Sequence, residues 1–142
     1  MCFNMEGIIK ITPNKEKARS ILKMVEVSLE RIQLTNLNKF VSNIVKDYYD
    51  VIRELISVIL LLDGFKVIGE EAHKKLIEYF SENYHYLEHS EIIMVDELRV
   101  LRNKITYDGF FVRQDFLERN FNTINNIINK LKLAINNKLK SK

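Results

Sequence analysis

Apolar residues recur at alternating steps of three and four along almost the whole of this 142-residue chain. That spacing places them on one face of an α-helix. Only one proline and four glycines are present, so few positions interrupt a helical pattern. With 46% hydrophobic residues the chain is long enough to bury one core. We therefore expect an all-α fold, in which residues 1–142 form one up-and-down bundle of four to five helices.

The apolar pattern divides into five helical segments. Thr12 and Pro13 predict an N-cap and a first helical residue, followed by an apolar stripe that ends at Ile32. Further helices are expected over about 39–63, 70–83, 91–105 and 114–137, the last with Phe121 on its inward face. Residues 1–13 and 138–142 are expected to be frayed. Residues 55–62 are apolar nearly all round the helix, so this helix is either central or faces another subunit.

The sequence favours a cytoplasmic protein without membrane association. The apolar stretch 55–62 is far shorter than the roughly 20 residues that a membrane-spanning helix needs. Residues 1–15 lack the apolar segment and cleavage site of a signal peptide. Cys2 is the only cysteine, which excludes a disulfide framework and is typical of a reducing compartment.

Positive charge is concentrated at the C-terminal end, although the net charge is only +3. No acidic residue follows Glu118. The basic residues beyond it are Arg119, Lys130, Lys132, Lys138, Lys140 and Lys142. Such a segment either steers the protein toward nucleic acid or is a solvated, lysine-rich helix end, which the helix dipole favours.

One short motif points to zinc. His85, Glu88 and His89 match the H-x-x-E-H pattern of a metalloprotease family, in which two histidines bind the metal and the glutamate is the base. Three features argue against this interpretation. The segment 84–89 is predicted to be a helix break, and the chain ends before a further glutamate ligand could follow at the required spacing. A bundle this small also offers little room for a peptide cleft. We expect an aromatic surface turn here, with no metal site and no cofactor.

The densest cationic and polar cluster lies between residues 97 and 109. Arg99 and Arg102 are three residues apart, so both guanidinium groups leave the same face of a helix. Two such groups can hold one phosphate through charge-assisted hydrogen bonds. Asn103 and Tyr107 complete the candidate RNA- or nucleotide-binding set.

Two features of the cluster leave its role open. Asp96 is one turn before Arg99, so a structural alternative has an Asp96–Arg99 pair and Arg102 bridging to another helix. Tyr107 lies about 140° from Arg102 around an unbroken helix. The two side chains are expected to converge only if the helix ends near Thr106.

Three further polar residues occupy notable positions. His73, near the start of the third helix, is interpreted as a helix-terminus residue, with a role at the site as the alternative. Arg53 and Glu54 interrupt an apolar helix, so at least one of them is expected to be paired or at an interface.

The segment Arg102-Asn103-Lys104-Ile105-Thr106-Tyr107 resembles the motif of the HEPN domain family: an arginine, a polar residue, three variable residues and a histidine. Tyr107 stands where the family has histidine. The resemblance extends to 98–101, 108–109, the region Tyr48-Tyr49…Arg53 and the segment 69–73, and it covers roughly residues 15–135 in helix order.

The resemblance implies a helical homodimer that acts on or binds RNA or a nucleotide, often beside a small nucleotidyltransferase in a toxin–antitoxin setting. In active members, arginine would stabilise the phosphorane and histidine would transfer the proton. A phenol, unlike an imidazole, stays almost fully protonated at neutral pH. We therefore expect a non-catalytic or weakly active domain that binds through Arg99, Arg102, Asn103 and Tyr107.

Two alternatives remain. One is a metal-independent RNase in which Tyr107 or His73 replaces the motif histidine beside Arg102. The other is a protein–protein interaction module, in which the arginines hold the bundle or dimer together and the exposed part of residues 55–62 binds a partner.

Overall fold

The computed structural model describes residues 7–141, which form five helices and one two-stranded antiparallel sheet. The expectations for Cys2, for the rest of residues 1–6 and for Lys142 lie outside this range. The elements are β1 (Ile8–Lys10), α1 (Lys15–Leu34), α2 (Val41–Asp63), β2 (Phe65–Val67), α3 (Ala72–Asn83), α4 (His89–Asp108) and α5 (Phe116–Lys140). The predicted all-α helical bundle is confirmed.

Helix α2 is the centre of the bundle. It packs against α1, α3, α4, α5 and β2. Within 55–62, only Ser57 and Leu62 are even partly exposed. The all-round apolar pattern is therefore explained by cover from other helices. The expectation that part of this surface is exposed for a partner is wrong, since the described residues themselves bury it.

Residues 8–10 form a strand, contrary to the expectation that residues 1–13 are frayed. Ile8 to Lys10 pair with Val67 to Phe65, and the amide of Ile11 donates to the carbonyl of Gly64 at 2.9 Å. Helix α1 begins at Lys15 and not at Pro13, because the side chain of Asn14 caps it by accepting a hydrogen bond from the Lys17 amide.

The connection between α2 and α3 contains β2 and leads directly to the candidate site. Gly64 ends α2 in the left-handed conformation, with φ of 86°. A Cβ there would lie 3.0 Å from the carbonyl oxygen of Ile11. Glycine therefore lets the chain turn sharply enough for β2 to pair with β1 and for α3 to start beside α4.

Two details of the last helices differ from prediction. Helix α4 continues to Asp108 and ends at Gly109, which adopts the left-handed conformation with φ of 63°. Its expected end near Thr106 is wrong, because Gly109 provides the C-terminal cap. Phe121, expected in the core, is 44% exposed, while its α5 neighbours Leu117 and Ile124 are buried.

Within residues 7–141, no helix combines the length and the apolarity needed to cross a membrane.

Candidate functional site

A cavity of about 370 Å³ lies between the start of α3 and the C-terminal half of α4. We call it the α3–α4 cavity. Its lining comprises Gly69, Glu71, Ala72, His73, Lys74, Arg99, Arg102, Asn103 and Tyr107. The structure thus brings the four predicted binding residues around one space together with His73. Three of the lining side chains are cationic and one is anionic, so the cavity carries an excess of positive charge.

Arg102 is a partly buried cation in this cavity. Its Nε is buried and has no hydrogen-bond partner, and its Nη1 makes only a long hydrogen bond of 3.4 Å to Oδ1 of Asn103. No carboxylate among residues 7–141 pairs with it. The structural alternative, in which Arg102 bridges to another helix, is therefore wrong. A partly buried guanidinium without a counter-ion is a strong attractor for an anion.

Arg99 has a partner on its own helix. Its Nε donates to Oδ1 of Asp96 at 2.8 Å, and the arginine side chain is only 15% exposed. The predicted Asp96–Arg99 pair is therefore present, with the arginine largely buried and the aspartate about half exposed. The ion pair orients Arg99 along the cavity wall and offsets part of its charge, so Arg102 contributes more of the uncompensated positive potential.

Tyr107 lies at the rim of the cavity with 74% of its surface exposed. The expectation that Tyr107 joins Arg102 only where the helix unwinds is wrong, because α4 is intact through Asp108. Asn103 lies between the two residues around the helix, so a broad arc of α4 lines a single cavity. An exposed phenol at a cavity rim can stack on a base or donate a hydrogen bond to a phosphate.

His73 is the second residue of α3, as expected from its position after the glycine-flanked connection. Its ring packs against that of Tyr49 on α2, with 5.9 Å between centroids. Burial lowers the pKa of His73, and the nearby Arg53, Arg102 and Arg99 lower it further, against an opposing effect of Asp50. The imidazole is therefore held neutral at pH 7, in the form that can accept a proton.

Beneath His73 is a polar cluster within the otherwise apolar α2. Burial raises the pKa of Tyr49 to about 12 despite the neighbouring arginines, so this phenol stays protonated. The Tyr49 hydroxyl, Oδ1 of Asp50 and Nε of Arg53 are buried and have no hydrogen-bond partner. Arg53 and Asp50 approach only to 4.0 Å. The expectation that at least one of Arg53 and Glu54 is paired or at an interface is thus met only by this long contact of Arg53.

The start of α3 adds an electropositive helix end to the same cavity. No acidic residue occupies its first turn, and the N-cap residue Glu71 makes no side-chain capping hydrogen bond. Among the described residues Glu71 is the one non-glycine with a positive φ, at 56°. Such conformations are unfavourable for residues with a Cβ and often occur at functional sites.

Sequence reasoning missed part of this site. Lys74 and Glu71 line the cavity, and Asp50 lies near His73, yet none of the three was singled out. Arg53 was noticed only as an anomaly in an apolar helix. A usable signal existed, because Asp50 and Arg53 are one turn apart and both interrupt the apolar pattern of α2.

The segment around the H-x-x-E-H motif forms an aromatic turn. Tyr84 and Tyr86 stack at 6.0 Å, and Tyr84 stacks on Phe80 at 5.2 Å. His85 precedes α4 while His89 begins it, so the two do not share one helical turn. In the described part of the chain no group of three or more His, Cys, Asp or Glu residues could hold a metal ion.

The basic residues of α5 mostly have partners within the fold. Lys130 pairs with Glu91 at 2.8 Å, Lys138 with Asp63 at 2.9 Å, and Lys132 with Glu26. These lysines connect α5 to α4, α2 and α1. They are therefore neither a free cationic surface nor a merely solvated helix end.

Comparison with protein-family models, with curated proteins and with solved structures finds no match for this chain. The HEPN resemblance thus stays a prediction.

Proposed function

We propose that this protein binds RNA or a nucleotide in the α3–α4 cavity and is non-catalytic or weakly active. The observation that carries the proposal is Arg102, a partly buried cation that lines the cavity without a carboxylate partner in the described chain. Arg99 and Lys74 add positive charge, and Asn103 and Tyr107 add polar and stacking groups.

The test is RNA binding as a function of salt concentration, for wild type and Arg102→Met. Each phosphate neutralised by a cation releases counter-ions, which makes binding salt-dependent. We expect Arg102→Met to weaken binding about tenfold and to flatten the slope of log affinity against log salt by about one unit. Arg19→Met is the matched control, because Arg19 is exposed on α1 and lines neither this cavity nor its neighbour. Equal affinity and slope for wild type and Arg102→Met would refute the proposal.

A second candidate function, metal-independent RNA cleavage, is favoured by the juxtaposition of His73 and Arg102. The neutral imidazole of His73 could accept the proton of a ribose 2′-hydroxyl while the 2′-oxygen attacks the adjacent phosphorus. The arginine would stabilise the phosphorane, and the departing 5′-oxygen would take a proton from the Tyr107 hydroxyl. The products would be a 2′,3′-cyclic phosphate and a free 5′-hydroxyl.

Cleavage is tested by incubating the protein with single-stranded and structured RNA in the presence of a metal chelator. The candidate is rejected if no cyclic phosphate forms. It is also rejected if cleavage persists unchanged in both His73→Gln and Tyr107→Phe.

We further propose that the protein is a homodimer. Ile93, Val100 and Tyr107 are 54%, 37% and 74% exposed and follow each other at seven-residue steps along α4. Seven residues are close to two helical turns, so these side chains form one exposed stripe. The HEPN resemblance adds a small nucleotidyltransferase as partner, in a toxin–antitoxin setting. Co-expression with a nucleotidyltransferase encoded by a neighbouring gene, followed by co-purification, tests that partnership.

A further inference from the structure

A second cavity, of about 250 Å³, adjoins the α3–α4 cavity. We call it the α2–β2 cavity, because its walls come from Arg53, Ser57 and Leu60 of α2 and from Lys66 and Val67 of β2, with the start of α3 completing it. Ala72 and His73 line both cavities. The two cavities therefore share a wall at the start of α3.

The two cavities differ in chemical character. Leu60, Val67 and Leu76 give the α2–β2 cavity apolar walls, whereas the α3–α4 cavity is lined mainly by charged and polar side chains. The volume of the α2–β2 cavity is below the roughly 300–1,000 Å³ of sites for drug-sized ligands. That size suits a single flat group, and the apolar walls suit the faces of such a group.

The polar groups of the α2–β2 cavity are mainly hydrogen-bond donors. Arg53 and Lys66 can only donate, and Ser57 can donate or accept. Nε of Arg53 is buried and has no hydrogen-bond partner, since Asp50 is 4.0 Å from its guanidinium. No carboxylate lines this cavity within the described chain. A ligand with acceptor atoms on its edge would match these donors.

We propose that the α2–β2 cavity holds the base of a nucleotide whose phosphate occupies the α3–α4 cavity, and that it favours bases whose edges present carbonyl oxygens, uracil and guanine, over adenine. The inference rests on the proposed RNA or nucleotide binding. Uracil and guanine offer carbonyl oxygens to arginine and lysine, whereas adenine presents an exocyclic amino group to a wall of donors. His73, which lines both cavities, lies where the ribose would join base to phosphate.

The experiment compares three labelled five-residue probes at one salt concentration: oligouridylate, oligoadenylate and an abasic ribose-phosphate chain. Wild type is expected to bind oligouridylate about tenfold more tightly than oligoadenylate, and the abasic chain most weakly. Arg53→Met should reduce the uridine preference to about twofold or less, and it should weaken binding of the abasic chain much less than Arg102→Met does. Arg102→Met should weaken all three.

A second variant and distinct outcomes keep the inference refutable. Lys66→Met changes an exposed β2 residue and should also reduce the uridine preference. It serves as the test if circular dichroism shows that Arg53→Met does not fold. If RNA binds but the abasic chain binds equally well, or if both variants keep the uridine preference, the base site is refuted and phosphate binding stands. If no probe binds to wild type, both proposals are refuted.

Discussion

Arg102 is expected to strengthen binding but to lower the stability of the fold. Its buried Nε has no hydrogen-bond partner, and burying a donor without a partner is unfavourable by about 1–3 kcal/mol. We expect Arg102→Met to leave the melting temperature unchanged or raise it by a few degrees, because methionine fills similar space without the unmet hydrogen bond. Thermal unfolding measures this. A clear fall in melting temperature would instead support the view that the arginine holds the bundle together.

His73 predicts the direction of two pH effects. The pKa of His73 is lowered in the folded protein, whereas the unfolded chain has the ordinary pKa of 6.5. As pH falls, the unfolded chain therefore binds more protons than the folded protein does. Stability is therefore expected to fall below about pH 6.5, and His73→Gln should lessen that fall. A bound phosphate would favour the protonated imidazole, so RNA affinity should rise over the same pH range.

The measurements are denaturant unfolding and RNA binding between pH 5 and pH 8. His85→Gln is the control, since His85 is exposed in the turn before α4. The interpretation is refuted if His73→Gln and His85→Gln alter the two pH profiles equally. The charged groups that shift the pKa of His73 are Asp50 and Arg53 of α2 and Arg99 and Arg102 of α4. Glu71, Lys74 and Lys66 line the two cavities that His73 also lines.

At the scale of elements, the loop that starts α3 stores backbone strain. Glu71 has a φ of 56°, which a residue with a Cβ adopts at a cost of about 1–2 kcal/mol. Glycine avoids this cost but loses about 0.5–1 kcal/mol in chain entropy. Glu71→Gly is therefore expected to stabilise the protein by up to about 1 kcal/mol, and to strengthen RNA binding by removing the anion that lines the cavity.

Glu70→Gly is the matched control, because Glu70 is also exposed but does not share the positive φ. It should be neutral or destabilising in denaturant unfolding. If Glu71→Gly destabilises the protein as much as Glu70→Gly does, strain at this position is not significant.

The same elements show what the sequence can and cannot predict. The helical period and the scarcity of proline and glycine predict four to five helices. The all-round apolar stretch 55–62 predicts that α2 is covered on several sides, either by this chain or by another subunit. Strands β1 and β2 are three residues each, too short for a period to show. Pro13 looked like a helix start, but the capping oxygen belongs to Asn14.

The candidate site, too, could be predicted only in part from the sequence. Arg99 and Arg102 are one turn apart on one helix, so their spacing predicted a shared face. Tyr107 was expected to join them only if the helix ended near Thr106, yet it lines the same cavity from an intact α4. His73, Arg53 and Asp50 come from two other helices, and only tertiary packing brings them to Arg102. No local pattern encodes that contact. The binding role of these site residues is still a prediction.

At the scale of the whole molecule, the exposed α4 stripe connects the proposed dimer to the proposed site. Val100 is in the middle of the stripe, and Tyr107 belongs to both the stripe and the α3–α4 cavity. We expect Val100→Asp to convert the dimer to a monomer, because it places like charges opposite each other across a two-fold axis. Size-exclusion chromatography with light scattering measures the mass. Val27→Asp, at an exposed valine of α1, is the control and should remain dimeric.

A dimer formed through α4 would place the two α3–α4 cavities on either side of one interface, since the helix that lines each cavity would also form the contact. RNA long enough to reach both cavities would then bind with an avidity that a monomer lacks. Val100→Asp should therefore weaken binding of a long single strand more than that of a five-residue probe, whereas Val27→Asp should affect neither. If the monomeric variant binds long and short RNA with the wild-type ratio of affinities, each cavity acts alone and the dimer has no part in recognition.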